Sequence, residues 1–87
     1  MANKEKPRFY QSNNHELDNK TAWISFVINS YAKNKNISNP ESFKYLYDNG
    51  AIDYLDDSFK TEHLESIDWT IDNIDEFIKN SNREEAL

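Results

Sequence analysis

The sequence predicts an all-α protein, a small bundle of four helices with a flexible N-terminal arm. First, apolar residues in the last third of the chain recur at spacings of three and four, the period of one helix face. Second, the run from Ser38 to Glu41 has the residue types that begin a helix. Third, Asn49-Gly50 supplies a left-handed end to that helix. At 87 residues, the chain is expected to form one domain.

Residues 1–17 are polar and rich in Asn and Lys, with Phe9 and Tyr10 as their bulky apolar pair. They are expected to form the flexible arm, because termini that are not tied down are poorly ordered. The single helical domain is predicted over 18–80, followed by a frayed tail over 81–87.

The first helix is predicted over about 19–34, where a wide apolar face suits a central helix that packs on two neighbours. Asp18 or Asn19 can cap its start, and Lys33 and Lys35 suit the negative end of its dipole. The apolar face consists of Trp23, Ile24, Phe26, Val27, Ile28 and Tyr31.

The second helix is predicted over about 39–49. Ser38 or Asn39 can cap it, Pro40 presets its first turn, and Glu41 places a negative charge where the helix dipole favours one. A β-hairpin is the alternative, because Asn-Gly is also the strongest two-residue turn signal and tyrosines lie around it. The Pro-Glu start favours the helix. One face of this helix would contain Phe43, Leu46 and Tyr47.

Two further helices are predicted after Gly50, over about 51–58 and 61–80. Ser58 or Thr61 is expected to open the last of them. The third helix places Ile52, Leu55 and Phe59 on one side. The apolar stripe of the fourth helix consists of Leu64, Ile67, Ile71, Ile74 and Ile78.

Negative charge is concentrated in the second half of the chain. The net charge of the whole sequence is −6, whereas residues 48–76 alone contain one basic and ten acidic residues, a net charge of −9. A surface of this sign repels nucleic-acid phosphate and anionic lipid, and it attracts basic proteins. We therefore expect neither direct nucleic-acid binding nor membrane binding.

Eight carboxylates form the predicted partner-binding surface. In the fourth helix the acids fall between the residues of the apolar stripe, so they are expected to line up on the face that points away from the core. The predicted partner-binding residues are Asp53, Asp56, Asp57, Glu65, Asp68, Asp72, Asp75 and Glu76.

The segment from Phe26 to Ile78 resembles a family of short bacterial proteins catalogued as domain of unknown function 3791. The resemblance lies in an aromatic-ended first helix, the run Gly50 to Leu55, the pair Phe59 and His63, and the closing run Ile67 to Ile78. It covers about 53 of the 87 residues. The resemblance implies a small helical fold and a bacterial or phage-borne source, and it brings no activity with it.

No catalytic, cofactor or metal motif is present, so we expect neither an enzyme nor a cofactor. Gly50 is the single glycine, which rules out a glycine-rich phosphate loop. A calcium loop aligned on it would place Tyr45 and Tyr47 where oxygen ligands belong. His63 is interpreted as a cap or a packed side chain. Four short helices are also expected to leave little room for a pocket of several hundred Å³.

The sequence also lacks cysteine, an apolar leader and any stretch near the ~20 apolar residues of a membrane span. A cytoplasmic protein without disulfides is expected.

Two functions fit these observations. The first is a non-catalytic interaction module, antitoxin-like or regulatory, which binds a basic or nucleic-acid-binding protein through its acidic half, helped by exposed Tyr10, Tyr45 or Tyr54. The second is a phage-type inhibitor that imitates nucleic-acid phosphates, because acids on the fourth helix would recur about every 5 Å. Solvation alone explains the same acids without a partner. The three-four spacing also fits the seam of a homodimer.

Overall fold

The computed structural model describes residues 8–86, and the side chains of residues 19–82. It contains four α-helices: α1 (Arg8–Lys35), α2 (Asn39–Asp48), α3 (Ala51–Glu62) and α4 (Ile67–Ala86). The all-α prediction is confirmed, and residues 8–86 include no β-strand. No helix in this range is both long enough and apolar enough to cross a membrane.

Both outer helices are longer than predicted. α1 begins at Arg8 and α4 runs to Ala86, so helical backbone extends into the predicted arm and the predicted tail. Residues 8–17 and 81–86 contain neither glycine nor proline, and a helix that has been nucleated propagates readily through such a segment. The rest of the predicted arm, residues 1–7, lies outside the described residues.

The C-terminus of α1 is closed by a Schellman motif. Asn36 adopts a left-handed backbone conformation with φ of 59°, which asparagine tolerates better than most residues. The amide of Ile37 donates to the carbonyl oxygen of Ala32 at 2.9 Å, and this bond satisfies a carbonyl that the helix end would otherwise leave unpaired. The motif leads the chain directly into α2.

The start of α2 is a capping box, and its cap is Ser38, one of the two predicted candidates. The Ser38 hydroxyl accepts a hydrogen bond from the Glu41 amide at 3.2 Å, and the Glu41 carboxylate accepts one from the Ser38 amide at 2.8 Å. Hydrogen bonding of the Glu41 carboxyl to the Ser38 backbone amide, followed by that to the Ser38 side chain, lowers the pKa of Glu41. At the other end Gly50 is left-handed, with φ of 76°. Asn49-Gly50 therefore separates two helices, and the hairpin alternative is wrong.

α4 begins at Ile67, later than predicted, because α3 continues through both predicted caps, Ser58 and Thr61. The residue that caps α4 is Ser66, whose hydroxyl accepts a hydrogen bond from the backbone amide three residues later at 3.2 Å. Leu64 consequently lies in the connection between the helices and is 75% exposed. Its assignment to the apolar stripe is wrong.

The core lies where α1 and α3 meet the other two helices. Within residues 8–86, each of these two helices packs against all the others, whereas α2 and α4 do not pack against each other. The predicted isoleucine stripe, apart from Leu64, faces this core. The buried cluster contains Val27, Tyr31, Leu46, Ala51, Leu55, Ile71, Ile74 and Ile78, with Ile67 partly buried against it.

We expect Ser38→Ala to lower the free energy of unfolding by about 1 kcal/mol, because the first turn of α2 loses the side-chain acceptor of its capping box. Urea denaturation followed by circular dichroism measures the change. Ser25 is exposed within α1 and is the matched control, since Ser25→Ala should change stability by no more than about 0.5 kcal/mol. Equal losses in the two variants would contradict the capping role.

Ile71 is 5% exposed, so Ile71→Ala is expected to cost about 2–5 kcal/mol of unfolding free energy through lost burial and the cavity left behind. Leu64→Ala removes an exposed aliphatic side chain from the same part of the chain and should stay within about 0.5 kcal/mol. The same denaturation experiment compares them. If Leu64→Ala were the more costly change, α4 would be rotated or would start earlier than described.

Candidate functional site

An open groove of about 370 Å³ lies between α2 and α4, and α1 forms its floor. Its lining residues are Tyr31 and Lys35 of α1, Ile37 of the α1–α2 connection, Tyr45 of α2 and Asp75 of α4. The groove exists because α2 and α4 both pack on α1 without packing on each other. A volume of this size is within the usual range for ligand sites, so the expectation that the bundle has little room for a pocket is wrong.

Asp75 is the polar centre of this α2–α4 groove. Its Oδ1 accepts a hydrogen bond from the Tyr31 hydroxyl at 2.7 Å, and its Oδ2 pairs with the Lys35 ammonium at 2.7 Å. The same ammonium lies 5.3 Å from the centroid of the Tyr31 ring, within the range of a cation–π interaction. One carboxylate and one aromatic face therefore hold a cation here.

Tyr31 and Tyr45 form the aromatic wall of the groove. Their rings are stacked with centroids 6.1 Å apart and planes 20° from parallel. Burial, followed by the hydrogen bond to Asp75, raises the pKa of the Tyr31 hydroxyl above its ordinary value, so this hydroxyl remains a neutral donor at physiological pH. Tyr45 is 43% exposed, and its ring is therefore open to a group that enters the groove.

The eight predicted partner-binding acids do not form one uniform surface. Asp56 pairs with Lys20 of α1 at 3.0 Å, and Asp75 pairs with Lys35. The two lysines are 15 residues apart, which is about 22 Å along a helix axis. These two acids thus lie at separate places along α1, and each is partly neutralised by a lysine from the first half of the chain.

The other six predicted acids are exposed: Asp53, Asp57, Glu65, Asp68, Asp72 and Glu76. Among the side chains of residues 19–82, no lysine or arginine forms an ion pair with any of them. Asp53 and Asp57 lie on α3, and Glu65 lies in the connection before α4. Asp68, Asp72 and Glu76 recur every four residues along one side of α4, and we call them the α4 acid row. Asp72 is three residues before Asp75, so the row adjoins the groove.

The three aromatic residues predicted to be exposed have different outcomes. Tyr45 is exposed, as predicted. Tyr54 is half-buried and stacks on Phe77, with ring centroids 4.7 Å apart, so its predicted exposure is wrong. The side chain of Tyr10 is outside the described range.

Several aromatic residues of the predicted apolar faces are exposed. Phe43 and Tyr47 are 48% and 64% exposed, and they stack on each other on the outside of α2 with centroids 5.8 Å apart. Phe26, on the predicted apolar face of α1, is 53% exposed. α2 is short and covered on one side only. Leu46, which lies between Phe43 and Tyr47 in the sequence, is therefore the residue of this face that reaches the core.

A buried carboxyl group was also missed. Glu62 is 4% exposed, and its Oε2 accepts hydrogen bonds from the Tyr54 hydroxyl at 2.5 Å and from the Asn73 side-chain amide at 3.2 Å. Its Oε1 is buried without a hydrogen-bond partner among the described residues. Burial, followed by the hydrogen bond to Glu62, raises the pKa of Tyr54 to about 12. The sequence spacing could have indicated this burial. Glu62 follows Leu55 by seven residues and Phe59 by three, so it lies on the apolar face of α3.

His63 packs on an aromatic ring, as predicted, but it lies at the end of α3 and not in the first turn of the fourth helix. It follows the last residue of α3, and its backbone amide donates to the Phe59 carbonyl oxygen at 3.0 Å. Its ring stacks on the Phe59 ring with centroids 4.2 Å apart, and the Trp23 ring contacts Phe59 edge-on at 5.6 Å. Within the part of the chain whose side chains are described, no three His, Asp or Glu residues converge on a point that could hold a metal ion.

The fold and the groove define a small helical-bundle protein with an open groove beside a row of acidic residues. The chain matches the family model described as Protein of unknown function (DUF3791) over residues 22–81. Because this match spans more than half of the chain, the protein belongs to that family, as the resemblance implies. The matched segment contains the whole groove and the α4 acid row. Neither the curated proteins nor the solved structures include a match.

We expect Glu62→Ala to lower the free energy of unfolding by about 1–3 kcal/mol, because the Tyr54 hydroxyl and the Asn73 amide lose their acceptor. Glu62→Gln retains an oxygen at that position, so its free energy of unfolding should fall less than that of Glu62→Ala. Thermal or urea unfolding at neutral pH compares the variants. Glu65→Ala removes an exposed carboxylate three residues away and should change stability by no more than about 0.5 kcal/mol. A loss in Glu62→Ala no greater than this would rule out a structural role for the network.

Proposed function

We propose that the protein is a non-catalytic interaction module, regulatory or antitoxin-like, that binds a basic segment of a protein partner. The binding surface in this proposal is the α4 acid row together with the α2–α4 groove beside it. One observation carries the proposal: α4 turns its isoleucines inward and leaves outside three acids that form no ion pair among residues 19–82. These acids lie next to an open groove with an exposed tyrosine. The comparison with antitoxins is a fold-level analogy.

The distribution of ion pairs supports this choice of surface. Asp56 and Asp75 are paired with lysines of α1, so part of their charge is already compensated. Asp68, Asp72 and Glu76 have no such partner among residues 19–82. Uncompensated charge of one sign steers an oppositely charged partner and favours it over others. The α4 acid row is therefore the stronger candidate for contact with a basic partner.

Exposed aromatic residues beside the acids support the same proposal. Trp69 lies on α4 three residues before Asp72, and it is 42% exposed. Tyr45 on the opposite side of the groove is 43% exposed. Tryptophan and tyrosine are enriched among the residues that contribute most to protein–protein affinity. Acids that attract a partner and aromatic rings that bury against it are thus close together.

The chemistry of the groove favours binding over catalysis. Both oxygens of Asp75 already have partners, Tyr31 and Lys35. The ring of His63 packs against Trp23, which is 12 residues before Lys35 on α1, about 18 Å along the helix axis. A general base would need to reach the substrate proton directly or through one water molecule. His63 is therefore too far from the groove to act as the base for a substrate bound there.

Imitation of nucleic-acid phosphates has less support. That function needs an extended series of uncompensated carboxylates, whereas two of the eight predicted acids are paired with lysines. Glu65 lies outside the helix that would carry the series. Three acids on one side of α4 give a shorter charged surface than the sequence suggests.

The experiment that tests the proposal is a quantitative pull-down from the native host, with three forms of the protein as bait. We expect Asp68→Asn with Asp72→Asn to reduce retention of a specific partner at least fivefold relative to the unchanged protein. Asp53→Asn with Asp57→Asn removes the same charge from α3 and is the matched control. It should retain the partner. Circular dichroism verifies that both double variants are folded.

Equal loss of the partner in both double variants would show that net charge, and not the α4 acid row, is responsible. Unchanged retention in the Asp68 and Asp72 variant would leave the acids with a solubilising role only. Either outcome would overturn the proposal.

A further inference from the structure

We infer that the α2–α4 groove is a receptor for a cationic side chain of the partner, and that Lys35 occupies this receptor in the free protein. This inference rests on the proposed function and names the chemical group that the partner would insert. Its basis is the position of the Lys35 ammonium, which is 2.7 Å from Asp75 Oδ2 and 5.3 Å from the centroid of the Tyr31 ring. A carboxylate combined with an aromatic face is a cation-binding arrangement.

The groove has room for a second side chain while Lys35 is in place. Its volume is about 370 Å³, and two of its lining residues, Ile37 and Tyr45, make no polar contact with Lys35 among the described hydrogen bonds. Lysine and arginine have an apolar stem and a charged head. Ile37 and the open ring of Tyr45 suit the stem, and Asp75 suits the head.

Lys35 is able to leave the receptor. It is the last residue of α1, and its side chain remains 36% exposed. Ion pairs at such positions contribute little to stability, since water replaces the partner readily. Tyr31 differs, because it is 2% exposed and its hydroxyl holds Asp75 Oδ1 at 2.7 Å. The carboxylate therefore keeps its orientation when Lys35 moves away.

The aromatic wall favours arginine over lysine as the inserted group. The rings of Tyr31 and Tyr45 are 20° from parallel. Because Tyr45 is 43% exposed, a flat guanidinium that enters the groove can stack on its ring. Arginine stacks on aromatic rings, and its guanidinium is more weakly hydrated than an ammonium. Its desolvation on entering a partly enclosed site therefore costs less free energy. An arginine in the partner would displace Lys35 from Asp75 and retain the charge balance of the groove.

The test uses N-acetyl-arginine amide as the probe, with N-acetyl-citrulline amide as a neutral probe of nearly the same shape. Each is titrated into ¹⁵N-labelled protein, and the amide shifts of Ile37 and Tyr45 are followed. We expect Lys35→Met to bind the arginine probe at least fivefold more tightly than the unchanged protein does. The citrulline probe should bind no variant measurably more tightly than it binds the unchanged protein.

Lys33→Met is the matched control, because Lys33 is an exposed lysine in the same last turn of α1. It removes the same charge and should leave probe affinity within twofold of the unchanged protein. Adding Asp75→Asn to Lys35→Met should abolish the gain. If circular dichroism shows that Lys35→Met is unfolded, Lys35→Gln replaces it with the same expectations.

Four results would overturn the inference: no binding of the arginine probe, equal gains in Lys35→Met and Lys33→Met, equal binding of the two probes, or a gain that survives Asp75→Asn. These results are separate from the pull-down. If the arginine probe does not bind but retention of the partner still depends on Asp68 and Asp72, the groove receptor is wrong and the proposed function stands. Arginine binding without any acid-dependent partner would remove the proposed function and leave the receptor.

Discussion

The burial of Ile71, Ile74 and Ile78 is the constraint on which the rest of this structure depends. These side chains are 5%, 0% and 4% exposed, and together they determine the rotation of α4 about its own axis. One residue of slippage would turn the helix by about 100°, which would bring the acids toward the core and expose the isoleucines. The α4 acid row, and the entry of Asp75 into the groove, are therefore consequences of apolar burial.

Charge pairing then decides which acids remain uncompensated. The first half of the chain is basic and the second half acidic, and the two halves meet along α1 through the pairs Lys20–Asp56 and Lys35–Asp75. Such exposed pairs contribute little to stability one by one. Their effect is on the surface, because they neutralise two acids at separate places and leave the α4 acid row uncompensated among the described residues.

Local features were predictable because their interactions connect residues that are close in the sequence. The capping box of Ser38 and Glu41 spans three residues, and the left-handed Gly50 follows from its lack of a side chain. Local signals do not decide the outcome where two of them compete. Ser58 and Thr61 resemble helix caps, yet α3 continues through both and the cap is Ser66. Leu64 was then counted with a helix that begins after it.

The sequence by itself determined that the chain is helical, that α4 has an apolar and an acidic side, and that Gly50 separates two helices. These properties depend on residue type and on spacings of three and four. Only the tertiary structure decided that a groove exists, that Lys35 and Tyr31 meet Asp75, and that Glu62 is buried. Tyr31 and Asp75 are 44 residues apart in the sequence, and a periodic pattern holds no information on which helix faces lie opposite each other. That choice follows from how four short helices share one core.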